Sequence, residues 1–73
     1  MTVKDLCEVF ASDTVFKVYT ESVGEHLMTG TAEEIEDENN LVLTDWWRKW
    51  WNSYDVSLTY AEDYNVIVVY IDK

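Results

Sequence analysis

Two short stretches of the chain begin with the residue pattern of a helix N-terminus. Thr2 is followed three residues later by Asp5, a variant of the capping box, and apolar side chains then recur at helical spacing. Thr31 and Glu34 form a complete capping box ahead of a run of acidic residues, which favour the positive end of a helix dipole. These patterns predict helices over residues 2–10 and 32–38.

Four further stretches have the composition of strands. Residues 65–71 are apolar on both faces, which is typical of a strand in the middle of a sheet. Residues 56–60 alternate apolar and hydroxyl side chains, and turn residues separate the two stretches, so a C-terminal β-hairpin is predicted. Two upstream strands are also predicted. Residues 14–20 are rich in β-branched and aromatic side chains, and residues 26–29 lie between two glycines.

Four tryptophans lie between Trp46 and Trp51. On a strand, both faces would mix indole rings with Arg48 or Lys49, whereas on a helix the rings gather on one side and the cations lie opposite. A third helix is therefore predicted here. Aromatic stripes at helical spacing usually belong to the core, but a domain this small can hardly enclose four indoles. Trp47 and Trp51 are predicted to protrude and to anchor a partner or a second copy of the chain.

These elements predict one small α+β domain over residues 1–73. Its expected architecture is an antiparallel sheet of about four strands packed against two or three short helices, with the last strand central. A chain of 73 residues buries only about 60% of the surface that its unfolded form exposes, so the core is thin. Its hydrophobic content of 48% nevertheless separates it from chains that stay disordered.

Charge narrows the range of partners. The chain has 15 acidic and 5 basic residues, a formal net charge of −10 at pH 7. Because this excess of carboxylates repels phosphates and anionic lipids, we expect no direct binding to nucleic acid or membranes. The acids concentrate in one run that contains Glu33, Glu34, Glu36, Asp37 and Glu38.

The acidic run has two interpretations. One is a solvated face that keeps a small protein soluble. The other is an electronegative patch that binds a basic protein surface. On that surface its carboxylates take the positions that phosphates otherwise occupy. As a calcium loop starting at Asp37 the run fails, since Leu41 and Arg48 occupy positions that need oxygen ligands.

The chain offers little for catalysis. His26 is the single imidazole, and Cys7 is the single thiol, predicted to be half-buried beside Glu8 and therefore hard to ionise. A lone histidine near a turn is usually a surface or packing residue, and no phosphate loop or nucleophile elbow occurs. We expect no enzymatic activity, no catalytic residue, no cofactor and no metal.

The expected location is the cytoplasm. A single cysteine fits a reducing compartment, because it cannot form an intramolecular disulfide. No charged leader precedes a hydrophobic run, and the longest apolar stretch, residues 66–71, is far shorter than the roughly 20 residues of a membrane-spanning helix.

Four segments of the chain resemble the layout of small proteins encoded by bacterial phages and conjugative elements. They are residues 2–6, 14–19, 30–35 and 66–71, and the four-tryptophan segment is not part of the pattern. Most such proteins have no known activity, and some small acidic phage proteins, including certain anti-CRISPR inhibitors, mimic DNA. The resemblance implies a DNA-mimic-like role and transfers no functional residues.

Two functions are therefore predicted. The first is a non-enzymatic acidic module that engages a basic protein surface through residues 33–38. The alternative is a structural accessory protein that homodimerises through an exposed tryptophan stripe.

Overall fold

The computed structural model describes residues 1–37 and 53–73. Within these ranges the chain forms a four-stranded sheet and two short helices, so an α+β fold is observed. The predicted tryptophan helix lies outside the described residues, as does Glu38. No described helix has the length and apolar composition needed to cross a bilayer. The elements are α1 (Val3–Val9), β1 (Val15–Thr20), β2 (His26–Thr31), α2 (Ala32–Glu36), β3 (Val56–Asp63) and β4 (Val66–Ile71).

The strand order is β2-β1-β4-β3, and the sheet is mixed. The predicted C-terminal hairpin is confirmed, since β3 and β4 pair antiparallel, and β4 lies inside the sheet as expected. The expectation of a purely antiparallel sheet is wrong, because β1 and β4 are parallel, with Val15 beside Val66 and Thr20 beside Ile71. Each of these two central strands pairs antiparallel with an edge strand, so β2 and β3 run in the same direction.

The hydrophobic core lies on one face of this sheet. Alternation along β1 turns Phe16 and Val18 to that face, and the parallel register sets Val69 beside Val18. Phe16, Val18, Val69 and Ile71 are completely buried. The inward-facing residues of both helices join the same cluster: Val3, Leu6, Cys7, Ala32 and Ile35.

Both predicted capping boxes are present. The Asp5 carboxylate accepts a hydrogen bond from the Thr2 backbone N–H at 2.9 Å, which holds the pKa of Asp5 below its ordinary value. The Glu34 carboxylate accepts from the Thr31 N–H at 3.0 Å, and the Thr31 hydroxyl accepts from the Glu34 N–H at 3.2 Å. These bonds satisfy N–H groups that the first turn of a helix leaves unpaired. Helix α2 ends at Glu36, two residues earlier than predicted.

The turn between β3 and β4 is fastened to the beginning of β1 by Asn65. Strand β3 continues to Asp63, beyond its predicted end, and Asn65 then adopts a positive φ of 58°. Its side-chain Oδ1 accepts from the Thr14 hydroxyl at 2.8 Å, and its Nδ2 donates to the Asp13 carbonyl at 3.0 Å. Asparagine suits this position because it tolerates the left-handed region better than most residues.

We expect Asn65→Ala to lower the free energy of unfolding by about 2 kcal/mol, because it loses two side-chain hydrogen bonds and strains the backbone. Asn65→Gly loses the same bonds but accepts the positive φ, so about 1 kcal/mol is expected. Urea unfolding followed by circular dichroism measures both. A glycine variant less stable than the alanine variant would contradict the role of the backbone conformation.

Candidate functional site

A shallow groove of about 710 Å³ lies beside the two helices. We call it the acidic groove. Backbone hydrogen bonds hold its two sides together, since the Glu33 N–H donates to the Ser12 carbonyl at 3.0 Å and the Ala32 N–H donates to the Thr14 carbonyl at 2.9 Å. The beginning of α2 is thereby fixed to the segment that joins α1 to β1. The groove is lined by Cys7, Glu8, Phe10, Ser12, Glu33, Glu36 and Asp37.

The helices direct carboxylates into the groove because their apolar residues face the core. In α2, Ala32 and Ile35 are buried, which leaves Glu33 and Glu36 exposed. In α1, burial of Leu6 and Cys7 leaves Glu8 exposed at the neighbouring position. Four carboxylates from two helices and the residue after α2 therefore share one surface.

The structure brings together some of the predicted partner-binding residues. Glu33, Glu36 and Asp37 line the acidic groove, whereas the Glu34 carboxylate binds the N-terminus of its own helix. The predictions for Glu38, Trp47 and Trp51 fall outside the described residues.

Glu8 is a groove residue that the sequence prediction did not include. It lies on α1, and no local pattern links it to the acidic run after Thr31. The sequence places Glu8 beside Cys7 on a short amphipathic helix. It does not show that α1 contacts α2, because this contact is a tertiary feature.

The groove carboxylates are spread over a surface and do not converge on a point. In the described ranges, no group of three or more histidine, cysteine or acidic side chains has the arrangement needed for a metal ion. Two ion pairs of the described residues lie outside the groove: Lys17 with Glu62 at 2.7 Å, and the N-terminal amine with Asp55 at 3.4 Å. Such a distribution suits several separate cationic side chains better than one small cation.

The Cys7 thiol lies in an environment that disfavours its ionised form. Its side chain is buried, and burial, followed by the charges of Glu36 and Glu8, raises the pKa of Cys7 to about 12. The thiol therefore stays protonated at neutral pH and is a poor nucleophile. The expectation that Cys7 is hard to ionise is confirmed, although the residue is more deeply buried than predicted.

His26 lies away from this thiol. Its ring is 5.3 Å from the Tyr19 ring, and its Nε2 is 2.7 Å from the Thr29 hydroxyl. Tyr19 alternates with the core residues of β1, so the imidazole lies on the side of the sheet opposite Cys7.

Among the described residues, the lining of the acidic groove thus combines dispersed negative charge with the ring of Phe10. Its chemistry is suited to binding cationic groups. No protein-family model, curated protein or solved structure matches this chain.

Proposed function

We propose that this chain is a non-enzymatic acidic module that binds a basic protein surface through the acidic groove. The observation that carries the proposal is the placement of Glu8 from α1 beside Glu33, Glu36 and Asp37. Two charges 4 Å apart attract each other by about 1 kcal/mol in water and by about 4 kcal/mol near a protein surface. Several such pairs on one face favour a partner with clustered lysine or arginine side chains.

Phe10 adds an apolar contact to this charged surface. The Phe10 residue is 39% exposed, and its ring packs edge-on against Phe16, with ring centroids 5.8 Å apart. Aromatic side chains surrounded by polar groups are typical anchors of protein interfaces. The proposed partner surface therefore combines cationic groups with an apolar side chain that contacts Phe10.

The basic surface is proposed to be one that otherwise holds phosphates. Carboxylates along α2 can compete for lysine and arginine side chains that grip a nucleic-acid backbone. The net charge of −10 accelerates the encounter with such a partner at low salt. The resemblance to phage and mobile-element proteins is consistent with a DNA-mimic-like role in the cytoplasm.

Charge neutralisation with a matched control tests this proposal. The groove variant carries Glu8→Gln, Glu33→Gln, Glu36→Gln and Asp37→Asn, while Glu34 is left intact because it caps α2. The control variant carries Asp13→Asn, Glu21→Gln, Glu25→Gln and Asp72→Asn, all at exposed positions outside the groove. Each variant removes four negative charges, so both change the formal charge from −10 to −6.

The probe is a fluorescent peptide rich in arginine and lysine with one leucine, and its binding is followed by anisotropy at low salt. The groove variant is expected to bind about tenfold to a hundredfold more weakly than the wild type, since each exposed pair contributes up to about 1 kcal/mol. The control variant is expected to lose no more than about threefold, through long-range attraction alone. Equal losses in the two variants would contradict a localised site. In a second arm, wild-type protein is expected to displace the peptide from labelled duplex DNA, and failure to do so would contradict the DNA-mimic-like role.

A further inference from the structure

The outer edge of β3 is the side of this strand that faces away from β4. β3 is last in the strand order, so within the described sheet only its inner side pairs with another strand. Seven of its eight residues are exposed, whereas the other edge strand, β2, has buried residues and leads directly into α2. Edge strands present unpaired N–H and C=O groups, which proteins often protect with proline or lysine. The β3 sequence contains neither residue.

One hydrogen bond shows which backbone groups of β3 point outward. The Val56 N–H donates to the Met1 carbonyl at 2.7 Å, while Val56 pairs with Ile71 of β4. In an antiparallel ladder, pairs that bond to each other alternate with pairs whose N–H and C=O groups point away from the partner. Val56 and Ile71 therefore form a pair of the second kind. The outer edge of β3 already holds one backbone carbonyl at this position.

Two further residues of β3 share the orientation of Val56. Both register shifts of this ladder lie in β3, and β4 continues without interruption from Ile71 to Ile67. Every second residue of β4 after Ile71 is Val69 and then Ile67, and these pair with Thr59 and Ala61. The backbone groups of Thr59 and Ala61 therefore point outward. Among the described residues, no backbone group from outside the sheet bonds to them.

The side chains beside these groups add apolar contact on one side of the strand. Leu58 and Tyr60 are 55% and 48% exposed. They pair with Tyr70 and Val68, which alternate with the core residues of β4, so they lie on the side of the sheet away from the helices. Every second side chain of an added strand would lie on this same side. Apolar side chains at those positions would contact Leu58 and Tyr60.

Charge decides which kind of strand fits the edge. Glu62 is paired with Lys17 at 2.7 Å. The Asp63 carboxylate accepts a hydrogen bond from the Tyr64 N–H and has no cationic partner among the described residues. Because the chain carries −10, a second copy would bring further negative charge to this edge, whereas lysine or arginine would offset it.

We propose that the outer edge of β3 binds an extended, basic segment of a partner protein as an added strand of the sheet. Thr59 and Ala61 hold its backbone, and Asp63 pairs with one of its cationic side chains. Two N–H and two C=O groups give about four hydrogen bonds, which corresponds to a dissociation constant of about 1 mM, or about 0.1 mM with the side-chain contacts. The acidic groove includes α2, which contacts β2 at the opposite edge, so this site is separate from it.

Amide hydrogen exchange followed by NMR tests the proposal, with the blocked peptide Lys-Thr-Val-Thr-Val-Lys as the probe. In the free protein, the outward N–H groups of Thr59 and Ala61 are expected to exchange at least about tenfold faster than those of Leu58 and Tyr60, which point towards β4. About 2 mM peptide is expected to slow the exchange of Thr59 and Ala61 by about threefold to twentyfold.

The control peptide has the same sequence but is N-methylated at every backbone nitrogen. It keeps the charge and is attracted to the acidic groove alike, but it has no N–H donor and its methyl groups obstruct the edge. We expect it to leave the exchange of Thr59 and Ala61 unchanged.

A pair of substitutions at Thr59 tests the edge from the side of the protein. Thr59→Pro removes an outward N–H at a position where an edge strand tolerates proline, and Thr59→Ala loses the same side chain but keeps the N–H. Peptide binding, measured by the exchange of Ala61, is expected to weaken at least about fivefold in Thr59→Pro and to persist in Thr59→Ala. Circular dichroism verifies that both variants fold.

Four results would overturn the proposal. Slow exchange of Thr59 and Ala61 in the free protein at every concentration shows that the chain covers its own edge. Slowing that increases with protein concentration, without peptide, assigns the edge to a second copy. Equal slowing by both peptides shows charge attraction alone, and no slowing by either peptide removes the added strand. Peptide binding in the acidic groove, measured with its own variants, is independent of all four results.

Discussion

Phe16→Ala is expected to lower the free energy of unfolding by about 3–5 kcal/mol. The Phe16 ring is completely buried on β1, inside the cluster shared by the sheet and both helices. Removing a buried phenyl group loses its transfer free energy and leaves a cavity that neighbouring side chains fill only partly. The total stability of a small domain is only about 5–15 kcal/mol, so this variant is expected to be largely unfolded well below the melting temperature of the wild type.

Phe10→Ala is the matched control for this substitution. The same side chain is removed, but Phe10 is 39% exposed and meets Phe16 only through an edge-on ring contact. We expect a cost of about 1 kcal/mol, from the partial burial and the loss of one aromatic pair. Urea titrations followed by circular dichroism compare the two variants. If Phe16→Ala costs no more than Phe10→Ala, the placement of Phe16 in the centre of the core is wrong.

Local patterns in the sequence predicted much of the secondary structure. The Thr2 and Thr31 capping boxes and the apolar alternation on β1 depend on residues a few positions apart, so they are readable without the fold. The burial of β4 on both faces was likewise visible as an uninterrupted apolar run. The C-terminal hairpin joins neighbouring segments, which is why its pairing could be predicted as well.

The direction of β4 relative to β1 could not be predicted. Alternation specifies which side chains of a strand are buried, but the same alternation fits a parallel or an antiparallel neighbour. The choice is decided by pairing between segments that are far apart in the sequence. Val15 and Val66 become neighbours only through this non-local pairing.

The predicted and the observed site differ for the same reason, because contacts between distant segments are not visible in the sequence. Glu33, Glu36 and Asp37 are contiguous enough in sequence to be recognised as a charged surface. Glu8 joins them through the contact of α1 with α2, and Tyr19 joins Tyr70 through the parallel register. Both contacts therefore depend on tertiary pairing, which cannot be read from composition and periodicity.

Cys7→Ala is expected to be less stable than the wild type at pH 7 and more stable at pH 11. At pH 7 the variant loses a small buried group, which costs about 1 kcal/mol. At alkaline pH the thiol lowers the free energy of unfolding, because its pKa is about 12 in the folded protein and 9.0 ordinarily. Between these values the unfolded chain releases the Cys7 proton while the folded chain retains it, so the free energy of unfolding falls as pH rises.

The size of the alkaline effect follows from the two pKa values of Cys7, about 12 folded and 9.0 unfolded. Wild-type stability is expected to fall, through this group alone, by about 1 kcal/mol at pH 10 and about 3 kcal/mol at pH 11. The stability curves of wild type and Cys7→Ala therefore cross near pH 10. Urea titrations at a series of pH values under reducing conditions measure the difference, in which the tyrosine and lysine titrations common to both proteins cancel. Parallel curves across this range would show that the folded protein does not hold the Cys7 thiol in its neutral form, and would contradict its burial in the core.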